Sequence, residues 1–270
     1  MPEYQQIRYE VRGHIALITL NRPEAMNTFT GILGEEWSAA YRRADTDDEV
    51  RAVVVTGAGK VFCAGADMSG GAGTFDSYDG GNFSAAALST SAFEIRKPVI
   101  AAVNGSAVGL GLSLAVQADF RVLAREGKYG FLQVRRGVVA DAYIHWTLPR
   151  LVGSERANEL LLTGRRFSGD EAESMGLALR VVPAAEVLET ALALAREIAE
   201  ECSPLAVAMT KRLLHECSTV DLPQTAAIET RWLARSMGQA DAIEGGLAYV
   251  EKRSPAWKSR LSHDWPKDEA

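Results

Sequence analysis

The sequence predicts an α/β core followed by a helical carboxyl-terminal region, and three observations carry that expectation. Over the first two thirds of the chain, short β-like runs alternate with segments of helical periodicity. Two of those runs, Arg51–Thr56 and Pro98–Val103, are of the β-branched or apolar kind that suits a strand buried on both faces. From about Pro183 onward the pattern is helical almost without interruption. No low-complexity tract or long linker separates the two parts, which are expected at residues 1–183 and 184–270.

Taken in order, Gln6–Val11 and His14–Leu20 flank Arg12-Gly13 and read as a β-hairpin. Gly31–Arg43 carries Leu33, Trp37, Ala40 and Tyr41 on one helical face. Ser69–Gly81 is rich in glycine, serine and aspartate and reads as a surface loop. A glycine-punctuated turn after Val103 leads into a small-residue helix near Ala107–Gln117 and then a strand at Phe120–Ala124. Beyond Pro183, the segments Ala184–Glu201, Pro204–Glu216, Leu222–Met237 and Ala240–Lys252 each show an apolar face. That is more apolar surface than a peripheral layer needs, so part of it is expected to meet another subunit.

Composition narrows the function. With 270 residues and 47% apolar content, the chain can bury a large core, which excludes a disordered or collagen-like protein. The net charge of −6 argues against a general nucleic-acid binder, since phosphate neutralisation needs a basic face. The three cysteines, Cys63, Cys202 and Cys217, show no C-x-x-C spacing and are expected as free thiols. No apolar run approaches the roughly 20 residues of a bilayer span. The opening MPEYQQIRYEVRG has no apolar leader core, so a cytoplasmic setting is expected. His14, His215 and His263 lack metal-ligand spacing, and no metal is expected.

Two glycine-containing turns follow the most β-like runs: Thr56-Gly57-Ala58-Gly59-Lys60 running on to Ala64-Gly65-Ala66-Asp67-Met68, and Val103-Asn104-Gly105 running on to Gly109-Leu110-Gly111. Neither fits a nucleotide-binding pattern: the first lacks the spacing and hydroxyl of a P-loop, and the second is G-x-x-x-G-x-G. Two readings stay open on spacing alone. The glycines either let strand and helix pack closely, or aim two backbone N–H groups at one developing negative oxygen.

Five ordered motifs resemble the enoyl-CoA hydratase/isomerase (crotonase) superfamily over nearly the whole chain. They are Leu20-Asn21-Arg22-Pro23-Glu24-Ala25-Met26-Asn27, the F-x-x-G-x-D element Phe62–Asp67, Lys97–Gly105, Leu148–Gly153 with Leu162-Thr163-Gly164, and Tyr249–Arg253. The resemblance implies a spiral of ββα units with a helical trimerisation region, assembled as a homotrimer or homohexamer. It implies an acyl-CoA or enoyl-CoA substrate and no cofactor beyond that coenzyme A moiety. Matching the motifs puts the two oxyanion-hole amides at Ala66 and Leu110. It puts coenzyme A contacts at Glu24, Ala25, Met26, Ala64, Ala66, Asp67, Met68, Leu110, Tyr249 and Lys252, the last reaching the phosphates of a neighbouring subunit's ligand.

The departures direct the chemistry. The family's two hydratase glutamates fall on Ser113 and Gln133, neither of which can trade a proton near neutral pH. Asp141, eight residues beyond Gln133, matches the acidic base of some family isomerases and, read without the family, is a helix N-cap before Ala142–Leu148. His145, four residues on, shares a helical face with Asp141 if that helix forms, and the pair could serve hydrolysis or C–C cleavage. The expected activity is therefore isomerisation of an enoyl-CoA double bond with Asp141 as base. The alternatives are hydrolysis or cleavage through Asp141/His145, hydration by another route, and non-catalytic acyl-CoA binding. Arg135-Arg136 could meet a phosphate or carboxylate, or an acidic residue of another subunit.

Overall fold

The computed structural model describes residues 4–75 and 84–266. The part of the Ser69–Gly81 loop from residue 76 onward lies outside the described residues; its start forms a 3-10 turn at Gly71–Phe75. The chain opens with the expected hairpin, β1 (Ile7–Arg12) antiparallel to β2 (Ile15–Leu20). It continues through α1 (Gly31–Thr46) to β3 (Ala52–Gly57) and β4 (Val61–Cys63), then to β5 (Val99–Val103) and β6 (Ser106–Val108). Helix α2 (Leu110–Val116), β7 (Phe120–Ala124) and β8 (Lys128–Gly130) come next. The rest of the first part is α3 (Ile144–Val152), α4 (Ser154–Thr163), β9 (Phe167–Ser168), α5 (Gly169–Ser174) and β10 (Arg180–Val182).

Two sheets result, one in the order β1-β2-β3-β5-β7-β10 and one in the order β4-β6-β8-β9. Strands β2, β3, β5, β7 and β10 run parallel, as do β4, β6 and β8. From β3 onward, each successive unit places one strand in the large sheet and one in the small sheet, which is the spiral architecture. Both faces of the large sheet are covered, which is why β2, β3 and β5 are buried along their whole length. Alternation decides the sides. Ile18, Val53, Val55, Ala101 and Val103 face the core shared with Trp37 and Phe62, while Leu17, Val54, Ile100 and Val122 face the opposite cluster.

That opposite cluster is closed by α6 (Val187–Glu201) through Val187, Ala191, Leu192 and Ala195. The first helix beyond residue 183 is therefore a layer of the core, packed on the large sheet. Helices α7 (Pro204–Glu216) and α8 (Leu222–Ser236) pack with α10 (Leu261–Asp264) on a small cluster around Trp232, while α9 (Ala240–Glu251) precedes the terminal segment. Trp265 packs on Trp232, with ring centroids 5.4 Å apart.

Helix α7 is tied down by a buried cation. Lys211 Nζ donates to the Ala92 and Lys97 carbonyls at 2.8 and 2.9 Å and to Asp119 Oδ2 at 2.7 Å. The same Asp119 oxygen accepts from the first amide of β5, Val99 N, at 2.7 Å. Lys211→Met removes the cation and leaves a carboxylate and two carbonyls without it. Such losses cost about 3–5 kcal/mol, so urea denaturation should show a clearly lower midpoint with an unchanged slope.

Candidate active site

The small sheet positions the site. Strands β4 and β6 pair in parallel, with Val61 opposite Ser106 and Cys63 opposite Ala107, so the turns leaving both strands emerge side by side. The first turn is Ala64-Gly65-Ala66. Gly65 has φ +93°, and a methyl group there would stand 2.9 Å from the Val108 carbonyl oxygen and 3.8 Å from the Leu110 nitrogen. The second turn ends at Gly109, the N-cap of α2. Two residues on, a methyl on Gly111 would meet the Cys63 carbonyl oxygen at 2.5 Å. Both glycines, Gly65 and Gly111, are dictated by the approach of one turn to the other.

Neither the Ala66 nor the Leu110 N–H has a hydrogen-bond partner among the described residues, whereas their neighbours Ala64, Asp67 and Gly109 all donate to backbone carbonyls. Leu110 opens α2, where the first amides of a helix have no intrahelical acceptor. Two unpartnered donors on adjoining turns can bind one carbonyl oxygen and stabilise negative charge on it.

The segment from Asn21 to Asn27 is clamped beneath the first turn. Asn27, fully buried, donates from Nδ2 to the Ala58 and Val61 carbonyls at 2.9 and 2.8 Å and accepts from Arg22 N at 2.8 Å. Both terminal nitrogens of Arg22 lie 3.0 Å from Asp67 Oδ2. The amide of Ser69 and the Arg22 guanidinium hold the Asp67 carboxyl well below the usual range, so it stays ionised. Asp67 thus anchors the loop after Ala66. Glu24 is exposed, Ala25 is half-buried, and Met26 is exposed with a left-handed backbone, so this 3-10 turn presents main chain outward beside Ala64. Met68 is exposed on the same rim.

Of the residues matching the family's acids, Ser113 is fully buried and its Oγ donates back to the Gly109 carbonyl at 3.3 Å. Gln133 is placed differently. It begins a 3-10 turn, Gln133–Arg136, and its Cδ would lie 3.9 Å from a methyl on Gly109. Gln133 Nε2 donates to Asp141 Oδ1 at 3.2 Å, while its buried Oε1 has no partner among the described residues. Asp141 is thereby brought to the second turn through one side chain. Burial pushes its carboxyl above the usual range, against the weaker opposing effects of the Gln133 amide, its own backbone N–H and His145.

Two expectations for this segment are corrected. Helix α3 starts at Ile144 with Tyr143 as N-cap, so Asp141 caps no helix. Ala142 and Tyr143 both adopt left-handed backbone, at φ 54° and 60°, and this unwinds the turn that would have aligned Asp141 with His145. His145 is exposed and makes no hydrogen bond to Asp141 among the described residues. The left-handed pair is held by Ala142 N donating to the Ala85 carbonyl at 2.7 Å and by Phe93 packing edge-on against Tyr143 and Trp146. Sequence reading did not find Phe93, since one aromatic before a strand carries no periodic signal. Tyr249 stands exposed near the end of α9 and Lys252 exposed just beyond it, and no hydrogen bond or ion pair among the described residues joins either side chain to the turns.

Paired glycine turns with two free amides form a site that can bind a single oxygen, and comparison with known proteins gives the family. The enoyl-CoA hydratase/isomerase model matches residues 10–260, and the chain belongs to that family. It is 36% identical to the carnitinyl-CoA dehydratase of Proteus mirabilis over 95% of this chain and 99% of that protein. Among solved structures, a probable enoyl-CoA hydratase/isomerase of Mycobacterium abscessus superposes with a TM-score of 0.90 at 47% identity, covering 94% of this chain and 99% of that one. The enoyl-CoA hydratase of Bacillus anthracis superposes with a TM-score of 0.87 at 33% identity, covering 94% and 99%. No helix among the described residues is long and apolar enough to cross a membrane, and no metal-binding cluster occurs among them. All three cysteines are free thiols.

Leu110→Pro deletes one of the two free amides at the first position of a helix, where proline is tolerated. Losing one such donor elsewhere costs about 2.7–4 kcal/mol of barrier. Turnover of an acyl-CoA substrate should therefore fall by two to three orders of magnitude while the circular dichroism spectrum is retained.

Proposed function

We propose that the protein moves the double bond of an enoyl-CoA, with the Ala66 and Leu110 amides as the oxyanion hole and Asp141 as the single base. The observation that carries this reading is the Gln133–Asp141 hydrogen bond beside Gly109, which puts one partly desolvated carboxylate next to the second turn. A 3-enoyl thioester binds with its carbonyl oxygen on the two amides. Asp141 takes the α-proton, the charge spreads onto that oxygen as a dienolate, and Asp141 returns the proton to the γ-carbon to give the 2-enoyl product. Gln133 donates to the carboxylate and so keeps its oxygen aimed at the substrate carbons.

A second reading is hydration or dehydration, favoured by relatives named enoyl-CoA hydratase and carnitinyl-CoA dehydratase. The free Gln133 Oε1 could accept from a water, Asp141 would take that water's proton as oxygen adds to the β-carbon, and the same proton would pass to the α-carbon. The hydrolysis and cleavage alternatives lose support because His145 is not bonded to Asp141. The exposed Leu233, Met237, Ile243, Leu247 and Val250 on and beside α8 and α9 support assembly as a trimer or hexamer, in which Lys252 would reach a neighbour's coenzyme A phosphates.

Comparing 3-enoyl-CoA with crotonyl-CoA separates the readings. Isomerisation should outpace hydration by orders of magnitude, and the reverse order would establish the second reading. Asp141→Asn should abolish turnover in either case. Its effect on stability has a definite sign. A carboxyl whose folded pKa is raised stabilises the fold below its unfolded pKa and loses that contribution as pH rises through the folded one. At neutral pH the variant should therefore melt at the same temperature as the wild type or higher. The wild-type kcat/KM should fall with unit slope as pH drops through the raised Asp141 value.

A further inference from the structure

The turn that begins with Gln133 carries a second feature on its other side. Leu132, Arg135, Arg136 and Arg166 line a cavity of about 290 Å³. Arg135 donates its Nε to the Thr163 carbonyl at 2.8 Å, which fixes the side chain and leaves its terminal nitrogens unbonded among the described residues. Neither Arg136 nor Arg166 has an acidic partner among those residues. The nearby acids are already engaged: Glu159 and Glu171 each accept from Arg165 at 2.8 Å, and Glu159 also pairs with Arg156. Three exposed arginines thus border one cavity of a chain whose net charge is −6. Like charges held together repel unless an anion neutralises them.

We propose that this cavity is an anion site for a phosphoryl-bearing small molecule, separate from the thioester site. Guanidinium forks match both carboxylate and phosphate, but three of them call for more charge than a single carboxylate carries, and a phosphate or diphosphate supplies it. Leu132, at 6% exposure, gives the cavity an apolar wall. Because Arg135 and Arg136 share the 3-10 turn of Gln133, an anion bound here braces the element that holds Asp141.

The test is titration calorimetry of the full chain with inorganic phosphate and with pyrophosphate. The wild type should bind pyrophosphate more tightly than phosphate, and more weakly as salt rises. The double variant R136Q/R166Q should lose at least tenfold in pyrophosphate affinity while keeping its circular dichroism spectrum and its affinity for coenzyme A. Absence of binding to the wild type would overturn the proposal, as would equal binding to the variant. A parallel loss of coenzyme A affinity would overturn it by assigning the arginines to the thioester ligand. Dissociation of the variant in sedimentation, with no pyrophosphate binding by the wild type, would overturn it by assigning them to acids of a second copy.

Discussion

The close approach of two backbone turns is the constraint on which the rest of the molecule depends. The turns after β4 and β6 touch so tightly that a methyl on Gly111 would meet the Cys63 carbonyl oxygen at 2.5 Å. Only parallel pairing of the two strands puts two free amides on one side of that contact. The large sheet serves it at a distance: β3 delivers the chain to β4, and β5 delivers it to β6. Asn104 stitches these crossings together by accepting from Gly57 N at 3.0 Å and donating to the Gly59 carbonyl at 3.0 Å.

Electrostatics around the turns divides labour between two aspartates. Asp67 is saturated by the Ser69 amide and Arg22, so it is a permanent anion that fixes a loop. Asp141 is pushed upward by burial, which outweighs the opposing Gln133 amide and its own backbone N–H. The two carboxylates differ in surroundings: hydrogen bonds hold the first down, and burial pushes the second up. The left-handed backbone at Ala142 and Tyr143 is uncommon for such residues, and it is what turns Asp141 toward Gln133 rather than into a helix.

The large features were legible in the sequence for a simple reason. Burial on both faces leaves an apolar run such as Val99–Val103, and an amphipathic face leaves the spacing of Leu33, Trp37 and Tyr41, so strand and helix identities come from local chemistry. The motif residues Gly65, Gly109 and Asp67 were equally visible, since their roles rest on backbone conformation and one ion pair between two recognisable motifs. That α6 covers the large sheet was not legible, because an apolar helical face reads the same whether it meets a sheet or another subunit.

By itself, then, the sequence determined the α/β order, the two glycine turns and the replacement of both family glutamates by Ser113 and Gln133. Tertiary structure alone decided which neighbours those residues have. Gln133 and Asp141 are joined, Ser113 is turned back on its own helix, and His145 is released to the surface. The physical reason lies at Ala142 and Tyr143. Their left-handed conformation is not a preference of alanine or tyrosine. It is imposed by a hydrogen bond to Ala85 and a ring contact with Phe93, both distant in the chain.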